Sequence, residues 1–344
     1  MAERVRVSRG VREIDHTGVL DLEALIATEE PVILRGLAAD WPLVQAGRRS
    51  PHEAAAYLRR FDAGRPVTGY VGDPAIRGRF HYDASATAMN FVAERIALGD
   101  FLDRVLGHLG DAEAPAYYLG STDVDTYLPG FRRENDLAPH GDVFDRHAPL
   151  ASIWIGTATR IAAHNDQPDN LACVAAGRRR FTLFPPDQFR NLHLGPLDNT
   201  PAGRAVSMVD FHAPDPVRFP RFAEALAHAQ VAELGPGDAI HIPALWWHHI
   251  EGLAPFNILV NYWWRDQPRW LGQPQDALHH AILALRDLPD VQKDYWRALF
   301  DHYVFDADDS VTAHIPPGGR GVLDPLTPDS ADRLRNFLLR QLAK

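Results

Sequence analysis

Residues 236–249, Pro236-Gly-Asp-Ala-Ile-His-Ile-Pro-Ala-Leu-Trp-Trp-His-His249, combine a tight turn, a short apolar strand and an imidazole beside two tryptophans. The turn falls at Pro236-Gly237-Asp238, because proline and glycine supply the backbone angles that a turn needs. Residues 239–242 form the apolar run that follows it. This stretch predicts a buried strand that brings His248 to the wall of a sheet.

Similar short runs surround this stretch. From about residue 115, apolar β-rich segments alternate with turn residues at 116–119, 153–155, 170–174, 180–184, 239–242 and 257–264. Many short strands with glycine and proline between them are typical of a β-sandwich or barrel. Before them, we predict helices at 20–28, at 50–60 with Ser50 as N-cap and Pro51 in the first turn, and at 89–109, with a strand at 31–36. After Pro268 the apolar period becomes helical, at 274–288, 291–303 and 329–342.

The tripeptide His164-Asn165-Asp166 is the candidate metal motif. Residues i and i+2 of a strand share a face, so an imidazole and a carboxylate would project side by side. Two histidines and one carboxylate, with His248 as the third ligand, leave positions open for Fe(II) chemistry, whereas catalytic zinc prefers four-coordination and often three histidines. A lone H-x-D is usually not a metal site, and a histidine beside tryptophan is more often a packed core residue. The hypothesis depends on both segments occurring together in a strand-rich pattern.

Composition describes a globular protein. The 344 residues are 46% hydrophobic and 23% charged, which is enough for a sizeable core. The formal net charge of −10 argues against general binding of nucleic acid or anionic membranes. Cys173 is the single cysteine, so neither an internal disulfide nor a cysteine-based zinc site is available. The charged start and the lack of a long apolar run predict a cytoplasmic protein without a membrane segment.

Three consecutive arginines, Arg178-Arg179-Arg180, follow the metal motif. In a strand they would alternate between the two faces. Charge runs are usually solvated on both sides. If Arg179 instead points into the barrel, it needs an anion, because an unpaired buried charge is costly.

Taken together, these residues resemble the cupin-8 branch of the JmjC oxygenases. The resemblance covers roughly residues 13–265 and is most specific in Leu183-Phe-Pro-Pro-Asp-Gln-Phe189 and Trp246-Trp-His-His-Ile-Glu251. It implies a double-stranded β-helix, or jelly-roll, of two facing sheets with flanking N-terminal helices. We therefore expect an oxygenase domain at residues 1–267 and a C-terminal helical segment at 268–344.

The resemblance also implies roles for individual residues. His164, Asp166 and His248 match the iron ligands, and 2-oxoglutarate is the expected cosubstrate. Tyr118, Asn170, Arg179 and Asn261 match residues around that cosubstrate. Arg179 stands where the family has a lysine, and lysine occurs here only at Lys293 and Lys344. Ile161 stands where a threonine assists cosubstrate binding, a role for which Thr159 or Thr182 would be the substitute.

The function implied is that of a 2-oxoglutarate-dependent dioxygenase that hydroxylates a C–H bond. A protein side chain is the first choice of substrate, and no nucleic acid is expected. The alternatives are hydroxylation of a small metabolite and a metal-binding cupin without turnover.

The C-terminal segment carries apolar stripes at helical spacing. They comprise Leu278, Ile282, Leu285 and Leu288, then Tyr295, Leu299 and His302, then Leu334, Phe337, Leu338 and Leu342. Such a stripe must be buried against something. It could pack on its own barrel. The resemblance favours a homodimer, because an asparaginyl hydroxylase of this family pairs through interlocked C-terminal helices.

Overall fold

The structure, a computed structural model, describes residues 7, 9–15, 20–140, 143–201, 203–265, 267–268 and 270–343. Most of the first eight residues, on which the prediction of a cytoplasmic location partly depends, lie outside this range. The chain divides into two compact units, residues 1–265 and 266–344. The first unit thus ends two residues before the expected boundary.

The first unit is built mainly of strands. In chain order they are β1 (Arg12–Asp15), β2 (Leu20–Asp21), β3 (Val32–Arg35), β4 (Val67–Gly72), β5 (Arg79–Phe80), β6 (Phe91–Ile96), β7 (Ala116–Asp123), β8 (Pro139–His140), β9 (Leu150–Gly156), β10 (Arg160–Asn165), β11 (Asp169–Ala176), β12 (Arg179–Phe184), β13 (Gln230–Leu234), β14 (Ala239–Ile242), β15 (Trp247–Gly252) and β16 (Asn257–Trp264). Its helices are α1 (Leu22–Ile26), α2 (Pro42–Arg49), α3 (Pro51–Arg59), α4 (Leu98–Gly107), α5 (Val124–Tyr127), α6 (Val143–Arg146) and α7 (Phe222–Ala227).

Two sheets form the core of this unit. The larger sheet has the order β1-β3-β14-β11-β16-β9-β7-β4-β6, and the smaller has the order β13-β12-β15-β10-β5. Their inner faces meet in one apolar cluster, to which Ala172 and Val174 contribute from the larger sheet and Phe181 and Leu183 from the smaller. The predicted jelly-roll class of fold is therefore confirmed, as two facing sheets that do not close into a barrel.

Strand β11 of the larger sheet is an almost continuous apolar run. Ala172 and Val174 face the smaller sheet, whereas Leu171, Cys173 and Ala175 pack into the cluster shared with residues of α2 and α3. A strand that is covered on both faces is apolar at every position rather than at alternate ones.

Several local predictions are confirmed. Helix α3 starts after Ser50, whose hydroxyl accepts a hydrogen bond from the Glu53 backbone N–H over 3.1 Å. The turn before β14 has Gly237 at a φ of 102°, where a Cβ would meet Ala39 Cα at 3.1 Å. The residue types alone predict both features, the serine cap of α3 and the positive φ of Gly237.

The prediction of one helix over residues 89–109 is wrong in its first half. Residues Phe91–Ile96 form strand β6, which pairs with β4 at the edge of the larger sheet, and only Leu98–Gly107 are helical. Sheet pairing decides here, because Phe91 packs its ring against Tyr70 of β4 at 5.4 Å. Strand β4 was not among the predicted strands either.

The second unit is helical. It contains α8 (Pro274–Leu285), α9 (Asp290–Phe300), which continues as a π-helical turn at Asp301–Phe305, and α10 (Pro328–Leu342). All three predicted helices are present, and Thr327 caps α10 through Ser330. No helix among the described residues is both long and apolar enough to cross a bilayer.

Candidate metal centre

The two histidines of the predicted triad lie on neighbouring antiparallel strands. His164 of β10 and His248 of β15 are paired across the ladder, and their ring centroids lie 4.4 Å apart. The pairing of β10 shifts register between Ile161 and His164, which is a β-bulge beside the motif. Asp166 follows β10 directly, and one ligand atom from each of the three side chains lies within 4.8 Å of the others.

The hydrogen bonds of both histidines suit a metal. Nδ1 of His164 contacts the Ala162 carbonyl at 2.9 Å, and Nδ1 of His248 contacts the Trp246 carbonyl at 3.0 Å. A carbonyl only accepts, so each Nδ1 carries the proton and each Nε2 keeps a free lone pair. Burial, followed by the neighbouring His164, lowers the pKa of His248 to about 4, so this imidazole is neutral. The donor set therefore fits Fe(II).

Asp166 is oriented by two neighbouring side chains. Trp263 Nε1 donates to Asp166 Oδ2 over 3.1 Å, and Asn170 Nδ2 donates to the same oxygen over 3.4 Å. Asn261 Nδ2 in turn donates to Asn170 Oδ1 over 3.1 Å, and Trp154 Nε1 donates to Asn261 Oδ1 over 2.7 Å. This chain of hydrogen bonds links three strands of the larger sheet to the carboxylate.

Arg179 points inward. Its side chain is only 3% exposed, and its Nε has no hydrogen-bond partner. Among the described residues no carboxylate pairs with it. Burial lowers the pKa of Arg179 to about 10, which leaves the guanidinium charged at neutral pH. A buried, unpaired cation of this kind calls for an anionic ligand.

Arg179 and the triad line one cavity, which we call the Arg179 cavity. The smaller sheet contributes Arg179, Phe181 and the two histidines, and the larger sheet contributes Tyr118, Asn170 and Asn261. Arg179 lies on β12 four residues before Leu183, and Leu183 pairs with His248 of β15. Four residues of extended strand span roughly 13 Å, so Arg179 lies about that far along the sheet from His248. Burial raises the pKa of Tyr118 well above its usual range, so its hydroxyl stays protonated and can donate. All seven predicted site residues are thus brought together.

The second departure from the family pattern, Ile161 in place of a threonine, is not compensated by a nearby threonine. Ile161 lines the cavity and adds only apolar surface there. Thr182 pairs with His249 on β15, so it faces away from Arg179 and Phe181. Neither Thr159 nor Thr182 is among the described residues that line the cavity, so neither replaces the missing threonine.

A second cavity of about 330 Å³, the aromatic cavity, adjoins the triad. Its wall includes Tyr70, Phe80 and Phe91, whose rings contact one another and Tyr118 with centroids 5.3 to 6.3 Å apart. Among the described residues that line it, Asp166 is the one acidic side chain, and there is no lysine or arginine. The sequence analysis did not predict this wall, because its rings come from β4 and β6 of the larger sheet and β5 of the smaller, and only the facing of the two sheets brings them together.

Neighbours of the site residues have structural roles. His249 points to the opposite face of β15 and packs on Phe211, with ring centroids 4.2 Å apart. His241 is fully buried and stacks on Trp264. Trp154 belongs to the strand predicted at 153–155 and also lines both cavities. Its position between Ile153 and Ile155, which point to the opposite face of the strand, is the signal that could have identified it.

Comparisons with known proteins agree with this geometry. The profile of the cupin-like domain matches residues 20–269. Human HSPB1-associated protein 1 is 24% identical over 276 residues, which are 76% of this chain and 53% of that protein. Lysine-specific demethylase 8 of Xenopus tropicalis is 23% identical over 243 residues, 70% of this chain and 49% of that protein.

The tRNA wybutosine-synthesizing protein 5 of Danio rerio is 31% identical over 144 residues, 42% of this chain and 38% of that protein. The chain spans about half the length, or less, of these relatives. It belongs to the cupin-like family of JmjC oxygenases, whose cofactors are Fe(II) and 2-oxoglutarate.

Proposed function

We propose that this chain is a 2-oxoglutarate-dependent dioxygenase that hydroxylates a C–H bond, with a protein side chain as the first choice of substrate. The observation that carries the proposal is the unpaired, buried guanidinium of Arg179 in the same cavity as the His164, Asp166 and His248 triad. A metal-binding cupin without turnover would have no need of a buried cation beside its metal.

Each residue has one task in this proposal. His164, Asp166 and His248 hold Fe(II). Arg179 pairs with the distal carboxylate of 2-oxoglutarate in the bidentate geometry that a guanidinium allows, and Tyr118 donates to the same carboxylate.

Asn170 and Asn261 have a supporting task, because they orient Asp166 through their shared hydrogen bonds. When bound, the iron and its cosubstrate supply the oxidation of a C–H bond to an alcohol by O₂, with release of succinate and CO₂.

The aromatic cavity determines what can approach the metal. Its neutral, ring-rich lining favours an uncharged group and excludes water from the reacting carbon. Lysine-specific demethylase 8 is named for a protein residue, and this supports protein as the substrate class. The second candidate is a small neutral metabolite, because about 330 Å³ is within the usual range for small-molecule sites.

The test is succinate formation from 2-oxoglutarate by the full chain supplied with Fe(II), with Asp166→Ala as the inactive control. Iron-dependent succinate that disappears in the control supports the oxygenase. Iron binding without succinate identifies the non-catalytic cupin instead. Mass spectrometry of a proteome and of a metabolite extract treated with the enzyme then separates the two substrate classes by a gain of one oxygen.

We further propose a homodimer formed through the second unit. Among the described residues twenty large apolar side chains are exposed, and fifteen of them lie after residue 266, including Leu278, Tyr295 and Phe337. Exposed apolar area of this extent marks an interaction surface. A closed two-fold dimer would cover the same surface on both copies. A cytoplasmic location stays a prediction.

A further inference from the structure

A pocket of about 470 Å³ on the first unit is strongly basic, and its lining residues are not those of the two cavities. We call it the arginine pocket. It is lined by Arg190, Arg218 and Arg221 together with Phe189, His193 and Phe219. No described residue of its lining is acidic. Three arginines gathered in one pocket stand out on a chain whose net charge is −10.

The three guanidinium groups have no carboxylate partners among the described residues. Arg221 donates through Nε and Nη2 to the Arg190 carbonyl, over 3.1 and 2.9 Å, which holds its side chain in place. Asp215 is the nearest acid along the chain to Arg218. Its carboxylate accepts from the backbone N–H groups of Val217 and Arg218, over 2.9 and 3.0 Å, rather than from the guanidinium.

Two of the three arginines affect nearby titratable groups. Burial, followed by the charge of Arg221, lowers the pKa of His193. Burial lowers the pKa of Arg79, and Arg218 adds to that shift against the opposing effect of Asp210. The electrostatic potential at the arginine pocket is therefore positive, although the chain as a whole carries a net negative charge.

Two aromatic rings lie against guanidinium groups of the arginine pocket. The guanidinium of Arg190 lies over the Phe189 ring at 5.4 Å, and that of Arg218 lies over the Phe219 ring at 5.1 Å. Phe189 is nevertheless 44% exposed. Because His193 Nε2 accepts from the Arg221 backbone N–H over 3.2 Å, Nδ1 carries the proton and can donate.

The pocket shares a chain segment with the aromatic cavity. His193 and Met208 line the arginine pocket, while Pro201 and Val206, from the same segment, line the aromatic cavity. The Met208 N–H donates to the His193 carbonyl over 3.0 Å. The Ser207 N–H donates over 2.8 Å to the carbonyl of Ala163, the residue before His164. A ligand in the pocket would thus lie against the segment that walls the entrance to the metal.

We propose that the arginine pocket binds a phosphodiester and a stacked base of single-stranded nucleic acid. Guanidinium groups bind phosphate in bidentate fashion, and bases stack on aromatic rings and on arginine planes. A phosphoserine peptide offers one phosphate, whereas a single strand offers successive phosphates with a base beside each. The strand therefore matches the three arginines and two aromatic rings of the pocket better, and the nucleic acid is favoured. Net charge led to the opposite expectation, because it averages over the whole surface.

The proposal goes beyond the proposed oxygenase function and does not require it, since binding needs neither iron nor 2-oxoglutarate. The measurement is fluorescence anisotropy of a labelled single-stranded decamer, as RNA and as DNA, with the full chain at low salt. Three phosphate contacts predict that log K falls with log salt concentration with a slope of about −2.

Charge and stacking are tested by separate variants. Arg190→Gln/Arg218→Gln removes the two guanidinium groups of the pocket that make no hydrogen bond to the described part of the chain, and we expect binding at least about tenfold weaker. Arg65→Gln/Arg133→Gln makes the same charge change at exposed arginines elsewhere and should leave affinity nearly unchanged. Phe189→Ala keeps the charge and should weaken binding by about fivefold or more.

Three results would overturn the proposal. They are no binding by the unaltered chain at low salt, equal weakening in the two arginine pairs, and full affinity in Phe189→Ala. A phosphoserine peptide that binds through Arg190 and Arg218 when the decamers do not would assign the pocket to a phosphopeptide instead.

Discussion

Trp263 anchors Asp166: its indole Nε1 donates to Asp166 Oδ2 over 3.1 Å from the strand that faces the metal motif. Asp166 comes just after β10 of the smaller sheet, and Trp263 belongs to β16 of the larger one. Oδ1 of Asp166 accepts no hydrogen bond from the described residues, so this oxygen remains available to a metal. The packing of the two sheets therefore sets the direction of the carboxylate.

Trp263→Phe should weaken Fe(II) binding about 10- to 100-fold, because partners that orient a ligand typically contribute that much. Phenylalanine keeps an aromatic ring at this position without the indole N–H, so the fold should survive. Trp264→Phe alters the neighbouring tryptophan, which faces the helices, and is the matched control. The measurement is Fe(II) titration under anaerobic conditions. Equal affinities in the two variants would contradict a positioning role for Trp263.

His164→Ala, Asp166→Ala and His248→Ala should each abolish Fe(II) binding or reduce it severely while the fold is retained. Each residue provides one third of the protein ligands. His249→Ala removes an imidazole that faces Phe211 on the other side of β15 and should keep the metal. Iron content after reconstitution and circular dichroism check both points. Full iron affinity in Asp166→Ala would show that the assignment is wrong.

Arg179→Ala should raise the 2-oxoglutarate concentration needed for half-saturation on the order of a hundredfold, because it removes one side of a buried ion pair. Metal affinity should change far less. Arg178→Gln removes an exposed charge paired with Glu233 and is the control. Arg179→Lys should restore part of the affinity. Calorimetric titration of 2-oxoglutarate measures this, and an unchanged constant in Arg179→Ala would point to a different cosubstrate or a different arginine.

The chain should behave as a dimer of about twice 38.3 kDa in size-exclusion chromatography with light scattering. A truncation after residue 267 removes all fifteen of the exposed large apolar residues described in the second unit and should be monomeric. A full-length chain that stays monomeric at micromolar concentration would refute the dimer. A truncated chain that remains dimeric would place the interface on the first unit.

Stability should fall as pH drops below about 6.5, in part because of His81. Burial lowers the pKa of His81 to about 4, while its ordinary value is 6.5. Between these values the unfolded chain binds a proton that the folded chain does not. The stabilisation is therefore complete above pH 6.5 and is lost progressively as pH falls towards 4, by up to about 3 kcal/mol.

His81→Gln should flatten the pH dependence of the unfolding free energy between pH 7 and 5, whatever its effect at pH 7. The exposed His52→Gln should keep the slope of the unaltered chain. Urea unfolding at a series of pH values measures both. Parallel curves for the unaltered chain and His81→Gln would show that His81 is not held neutral.

Much of the fold could be predicted from local patterns. Short apolar runs between turn residues identified β11, β12, β14 and β16, and helical periodicity identified α8, α9 and α10, because each pattern is complete within its own segment. The helix predicted over residues 89–109 is the exception, because its first half is a strand. Phe91–Ile96 become a strand only because β4 pairs with them, and pairing between distant segments leaves no trace in a single window.

The sequence by itself determined the donor types at the candidate metal site and their spacing along the chain. Only the tertiary structure decided what these residues contact. No carboxylate of the described residues pairs with Arg179, although Asp166 lines the same cavity. The aromatic cavity arises where strands of the two sheets meet, and three arginines form a pocket on an acidic chain. Burial and electrostatic potential depend on distances in space, and the order of residues along the chain does not specify those distances.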